Sequence, residues 1–169
     1  MNPNSPLIRR LIKLLPLLAS ATLLACGGGE EGASAPADKY VGAWVGPCID
    51  LSAALGKPNA YKTTLSIKKT ADAAYSSEGS NTEWSNATCA GAGTAIAGES
   101  GLVVFTIVGT LVLGGDTVDK LSFGAEPSLR RSISMVSADG RSLRVGSGGG
   151  GVDADGYPNS LSTVVYVKQ

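Results

Sequence analysis

Two stretches near the C-terminus carry residues spaced for chemistry. Gly146-Ser147-Gly148-Gly149-Gly150-Gly151 has the spacing of a dinucleotide-binding loop, and Asp153-Ala154-Asp155-Gly156 that of the opening of a calcium loop. A pyrophosphate, however, is held by the amides at the start of a helix following the glycines. Val152 to Pro158, with two Asp, a Gly and a Pro, cannot start a helix of useful length, so the segment is read as a flexible loop. A calcium loop needs a third oxygen ligand and a closing bidentate Glu. No Glu follows Glu126. Asp153 and Asp155 are therefore read as a turn, with a weak cation site completed by carbonyls and water as the lesser reading. No cofactor is expected.

The chain has no histidine, the usual base beside a Ser or Cys nucleophile. Ser66 and Lys69 have the offset of a Ser–Lys dyad, but on an alternating strand an odd offset puts the two side chains on opposite faces. Asp116 and Asp119 flank a hairpin turn, where Asp is ordinary turn chemistry. No catalytic residue is assigned, and the chain is read as a non-enzyme.

The N-terminus determines how these segments are placed in a cell. Arg9, Arg10 and Lys13 begin an apolar run over residues 11–24, the layout of a secretory signal. Roughly a dozen apolar residues are too few to span a bilayer core, which takes ~20. The run ends in Leu23-Leu24-Ala25-Cys26 and passes into Gly27-Gly28-Gly29. These residues resemble the lipobox of bacterial lipoproteins. The resemblance implies that residues 1–25 are removed by signal peptidase II and that Cys26 is acylated, palmitate being one of its fatty acids. Residues 26–38 then form a Gly-rich tether to a domain over residues 39–169. Gly27, where Asp would retain a lipoprotein at the inner membrane, implies sorting to the outer membrane, with the domain facing the periplasm. Acyl chains contribute about 0.8 kcal/mol per buried methylene, which makes anchoring stable. The weaker alternatives are a secreted protein cut after Ala25, twin-arginine export and a retained transmembrane helix.

Charge agrees with that address. Fourteen basic residues balance fourteen acidic ones, and losing Arg9, Arg10 and Lys13 leaves 11 against 14, a net −3. That is neither a nucleic-acid binder's charge nor a polybasic membrane patch. With Cys26 acylated, Cys48 and Cys89 remain as an even pair in an oxidising compartment. A disulfide between them is expected, closing a loop of about 40 residues and contributing roughly 4 kcal/mol in the chain-entropy description.

The domain itself reads in period 2. Tyr61 to Lys68 alternates, with Leu65 and Ile67 on one face. Residues 131–145 form a hairpin around Ser137-Ala138-Asp139-Gly140. Leu102 to Leu113 is a nearly continuous apolar run, expected as a central strand covered on both faces; it turns at Gly114-Gly115-Asp116 into Val118 to Phe123. Ser162 to Lys168 closes the chain as a strand, Ser52 to Leu55 is the one candidate helical turn, and Tyr75 to Gly101 is polar and Gly/Ser-rich, held in part by Cys89. The fold expected is all-β, a single antiparallel barrel or sandwich. Tyr40-Val41-Gly42-Ala43-Trp44 resembles the Gly-x-Trp that opens the first strand of lipocalin-like barrels. There the Trp plugs the closed end beneath an Arg from the last strand, a place taken here by Lys168. Mid-sized aliphatics at Leu65, Ile67, Leu143 and Val145, with aromatics at 5% of the chain, lean toward a filled core. The expected role is thus a binding or interaction module with an envelope protein or a glycan as partner. A lipocalin-like small-ligand carrier and an envelope inhibitor or structural accessory are the alternatives.

Overall fold

The alternation of Tyr61 to Lys68 lies in the first of two long strands that form one wall of a closed barrel. The computed structural model describes residues 34–96 and 101–169, so the signal, Cys26 and most of the tether lie outside the described residues. A single 3₁₀ turn, Asp38–Tyr40, leads into β1 (Gly42–Val45), β2 (Ile49–Asp50), the helical turn α1 (Ser52–Leu55), β3 (Ala60–Ala71) and β4 (Ala74–Trp84). Then follow β5 (Thr94–Ala95), β6 (Leu102–Leu113), β7 (Asp116–Phe123), β8 (Arg130–Val136), β9 (Ser142–Val145) and β10 (Tyr166–Lys168). Strands β1, β3, β4, β6, β7, β8, β9 and β10 each pair antiparallel with the next, and β10 returns to β1 through Trp44↔Lys168 and Val45↔Val167. The result is an eight-stranded antiparallel β-barrel, which removes the sheet edges that a sandwich would keep. Every pairing lies within residues 34–169, which form one compact unit.

The turns behave as their residues dictate. Gly114 and Gly115, both at positive φ, carry β6 into β7, and Ser137, Asp139 and Gly140 close the β8–β9 hairpin with Ser137 N donating to Ser142 O at 2.9 Å. Cys48 and Cys89 form the expected disulfide, Cα atoms 5.9 Å apart. It ties the β1–β2 connection to the loop after β4.

Four expectations change. Tyr75 to Gly101 is more than a polar segment held by Cys89: it contains ten of the eleven residues of strand β4 (Ala74–Trp84). β6 is a strand, but its outer face is bare, with Leu102 69% and Val104 and Val108 each 50% exposed; a barrel wall has one dry side. The last strand is shorter than Ser162 to Lys168, beginning at Tyr166. The packed domain begins before residue 39, because Ala37 is fully buried and its N–H donates to Asp72 O at 3.0 Å.

The glycine-rich segment is a loop without a helix, and it is docked rather than loose. Ser147 N donates to Ser160 O and Asp153 N to Tyr157 O. Bridges Gly146↔Leu161 and Val152↔Pro158 fold it back on itself. Its Tyr157 and Leu161 pack on Val118 and Ile133, giving the barrel a second apolar cluster on its outer surface.

Candidate functional site: the barrel lumen

One end of the barrel is closed by residues adjacent in sequence. The 3₁₀ turn lays Tyr40 across the opening and β1 brings Trp44 in beneath it; both are fully buried. The indole Nε1 donates to Tyr40 O at 2.7 Å, so the Trp holds the turn that caps the barrel. Lys168 of β10 lies over the Trp44 ring, Nζ 5.1 Å from the centroid. Gly42 makes room: it sits at φ +134°, and a Cβ there would lie 2.9 Å from Lys168 Cε.

Behind the cap is a buried polar cluster that the sequence did not reveal. Asp119, read as turn chemistry, lies inside the barrel at 4% exposure. It accepts a hydrogen bond from the Tyr40 hydroxyl and pairs with Lys39 Nζ at 2.7 Å. Ser134 Oγ donates to the Tyr40 hydroxyl at 2.7 Å. Asp116, read with Asp119 as a carboxylate pair, stays exposed at the β6–β7 turn. Burial, with the Asp119 carboxylate beside it, pushes the Tyr40 phenol well above its ordinary range, and burial does the same to Tyr75. A raised phenol contributes stability that is complete below the unfolded value and lost as pH climbs past it. Alkaline titration is therefore expected to show two stages of phenolate absorbance. The later stage, from Tyr40 and Tyr75, is expected only as the barrel unfolds. Ionisation of all five tyrosines in one step, with the fold intact, would contradict the cluster.

Above the cap the barrel is hollow. A cavity of about 370 Å³ runs between Leu65 and Ile67 of β3, Tyr75 of β4, Val103 and Phe105 of β6, Leu121 and Phe123 of β7, Leu143 and Val145 of β9, and Tyr166. The expected filled core is corrected by this space: the aliphatics point inward as expected, but they line a void. Rings line one wall: Tyr40 stacks on Tyr75 with centroids 4.6 Å apart, Tyr75 stacks on Phe105 at 5.3 Å, and Phe105 meets Phe123 in a tilted pair at 5.0 Å. Glycines and serines (Gly79, Gly101, Gly146, Ser77, Ser132) contribute the rest of the lining, and their small size leaves the volume open. The space lies within the range of small-molecule pockets, about 300–1,000 Å³, and like them it is mostly apolar with a few polar groups.

The other candidates serve structure. Asp153 Oδ1 accepts from the backbone of Asp155 at 3.0 Å and of Tyr157 at 2.8 Å, while Asp155 pairs with Lys120 at 3.2 Å. One oxygen of each thus serves the turn or a lysine, and no three metal-ligating side chains converge among the described residues. Ser66 is on the outer face; Lys69, on the inner one, pairs with Asp38 at 2.9 Å and Asp72 at 3.0 Å.

Comparison with known proteins leaves the geometry to stand alone: no protein-family profile matches this chain, and no match was found among curated proteins or solved structures.

Proposed function

We propose that this protein is an outer-membrane lipoprotein, anchored through Cys26, whose barrel binds a small apolar molecule and catalyses no reaction. The observation that carries the binding reading is the lumen: about 370 Å³ lined by aliphatic and aromatic side chains above a sealed base. Lining a cavity with apolar side chains sacrifices packing that a filled core would have, and a ligand restores it. The closed end, with Trp44 beneath Tyr40 and Lys168 over the indole, supports the lipocalin-like carrier over the interaction module. The module keeps one observation in its favour, the bare Leu102, Val104 and Val108 on the outer wall of β6, a surface of the kind that protein partners cover.

Anchor and cavity are tested separately. Cells fed radiolabelled palmitate are expected to label the protein and to keep it in the membrane fraction, and Cys26→Ser to abolish both; labelling that survives the substitution would contradict the anchor. For the cavity, the chain from residue 26 onward carrying Cys26→Ser is heated with a medium-chain alcohol. At a hundred times the dissociation constant a bound ligand stabilises by about 2.7 kcal/mol, a shift of several degrees. No shift across a panel of apolar ligands would remove the binding reading.

A further inference from the structure

β3 and β4 are longer than the barrel needs. β1 covers β3 only over residues 64–67, and β6 pairs with β4 only as far as Glu78. Past that rim the two strands continue together through Thr63↔Asn81 and Tyr61↔Glu83, flanked by β2 and β5. Strand alternation puts Tyr61 and Thr63 on the face of Leu65 and Ile67, and Asn81 and Glu83 on the face of Ser77 and Gly79. The inner wall thus changes character along its length. It is apolar within the lumen and mixed beyond the rim, where a second hollow of about 430 Å³ forms between Leu51, Leu55, Tyr61 and Ile96 and the polar Asn59, Asn81 and Glu83. One register step, ~7 Å of strand, separates its Glu83–Asn81 wall from Gly79 of the lumen.

Two polar groups of this hollow offer acceptors, Asn59 Oδ1 and the Glu83 carboxylate. Asn59 is 4% exposed. Its backbone is pinned by Leu51 N donating to Asn59 O at 2.8 Å and by Asn59 N donating to Ser52 Oγ at 3.2 Å. Its Nδ2 donates to Glu83 Oε1, but its buried Oδ1 has no partner among the described residues. A buried acceptor left unmade is destabilising, so a donor from outside is expected there. Glu83 spends one oxygen on Asn59, and a carboxylate has capacity for several donors. No lysine or arginine lines the hollow.

Resting on the lumen as a binding site, we infer that the ligand is amphipathic: an alkyl or aryl tail fills the barrel, and a hydrogen-bond-donating amine head sits between Asn59 Oδ1 and Glu83. The register that places the acceptors directly beyond the lumen rim fixes the order of head and tail. An ammonium supplies three donors and a charge opposite to Glu83.

The test uses the chain from residue 26 with Cys26→Ser and three probes with one tail, decylamine, decanol and decanoate, titrated by calorimetry below their aggregation concentrations. Decylamine is expected to bind at least about tenfold more tightly than decanoate, decanol falling between them. Glu83→Gln is expected to collapse that difference and leave decanol unchanged. Equal affinity for the three probes, or a preference that survives Glu83→Gln, overturns the amine head while leaving the lumen reading intact. Failure of all three to bind overturns both. Should Glu83→Gln fail to melt cooperatively, the order of the three probes on the chain with Glu83 intact decides alone.

Discussion

Trp44→Ala is expected to lower the unfolding free energy of the barrel by about 3–5 kcal/mol, the range for a large aromatic removed from a core. For a domain whose total stability is roughly 5–15 kcal/mol, that is severe. Truncation removes a fully buried indole, frees Tyr40 O from its bond at 2.7 Å and leaves Lys168 without the ring it covers at 5.1 Å. It also loosens the 3₁₀ turn that closes the barrel, so Tyr40, Asp119 and Ser134 gain access to water. Urea unfolding checks it through a lower midpoint; a midpoint equal to that of the unsubstituted protein would mean that the base is held by something other than Trp44.

Val103→Trp is expected to abolish ligand binding with the fold intact. Val103 lines the lumen between Phe105 and the open rim, and an indole there occupies space that the ligand needs. An apolar probe should lose at least about tenfold in affinity, ~1.4 kcal/mol. The melting temperature should hold or rise, because the ring fills a void instead of overpacking a tight core. Unchanged affinity would place the probe outside the barrel, with the bare outer wall of β6 as the first place to look.

The parts of this architecture that follow local rules were legible in the sequence. The Gly-Gly turn into β7, the hairpin at Ser137 to Gly140, the alternation around Leu65 and Ile67, and the α1 turn all depend on neighbouring residues, and the disulfide on Cys48 and Cys89 being the even pair left once Cys26 is set aside by the lipobox resemblance. β4 was not legible, for a physical reason tied to the cavity. A strand announces itself by apolar residues on its buried face, but the inner face of β4 presents Ser77, Gly79, Asn81 and Glu83, because that face borders space and not packed side chains. The void was hidden by composition as well. Aromatics are only 5% of the chain, yet both phenylalanines and Tyr75 gather on one wall. Asp119 was misplaced because a carboxylate three residues from a turn looks like turn chemistry. Only the barrel's closure brings Tyr40, far away in sequence, onto it. β6 was expected to be covered on both sides because its apolar run was read as a buried strand. Its outer residues Leu102, Val104 and Val108 do not alternate with polar ones, and nothing among the described residues covers them.

The most direct measurement is a nuclear Overhauser experiment on the isotope-labelled chain from residue 26, carrying Cys26→Ser, with decanol. Contacts from the alkyl chain to Phe105, Leu121 and Leu143, which no outside surface can supply together, are the expected result. Contacts confined to Leu102, Val104 and Val108, or none at ligand saturation, would contradict a barrel that holds its ligand inside.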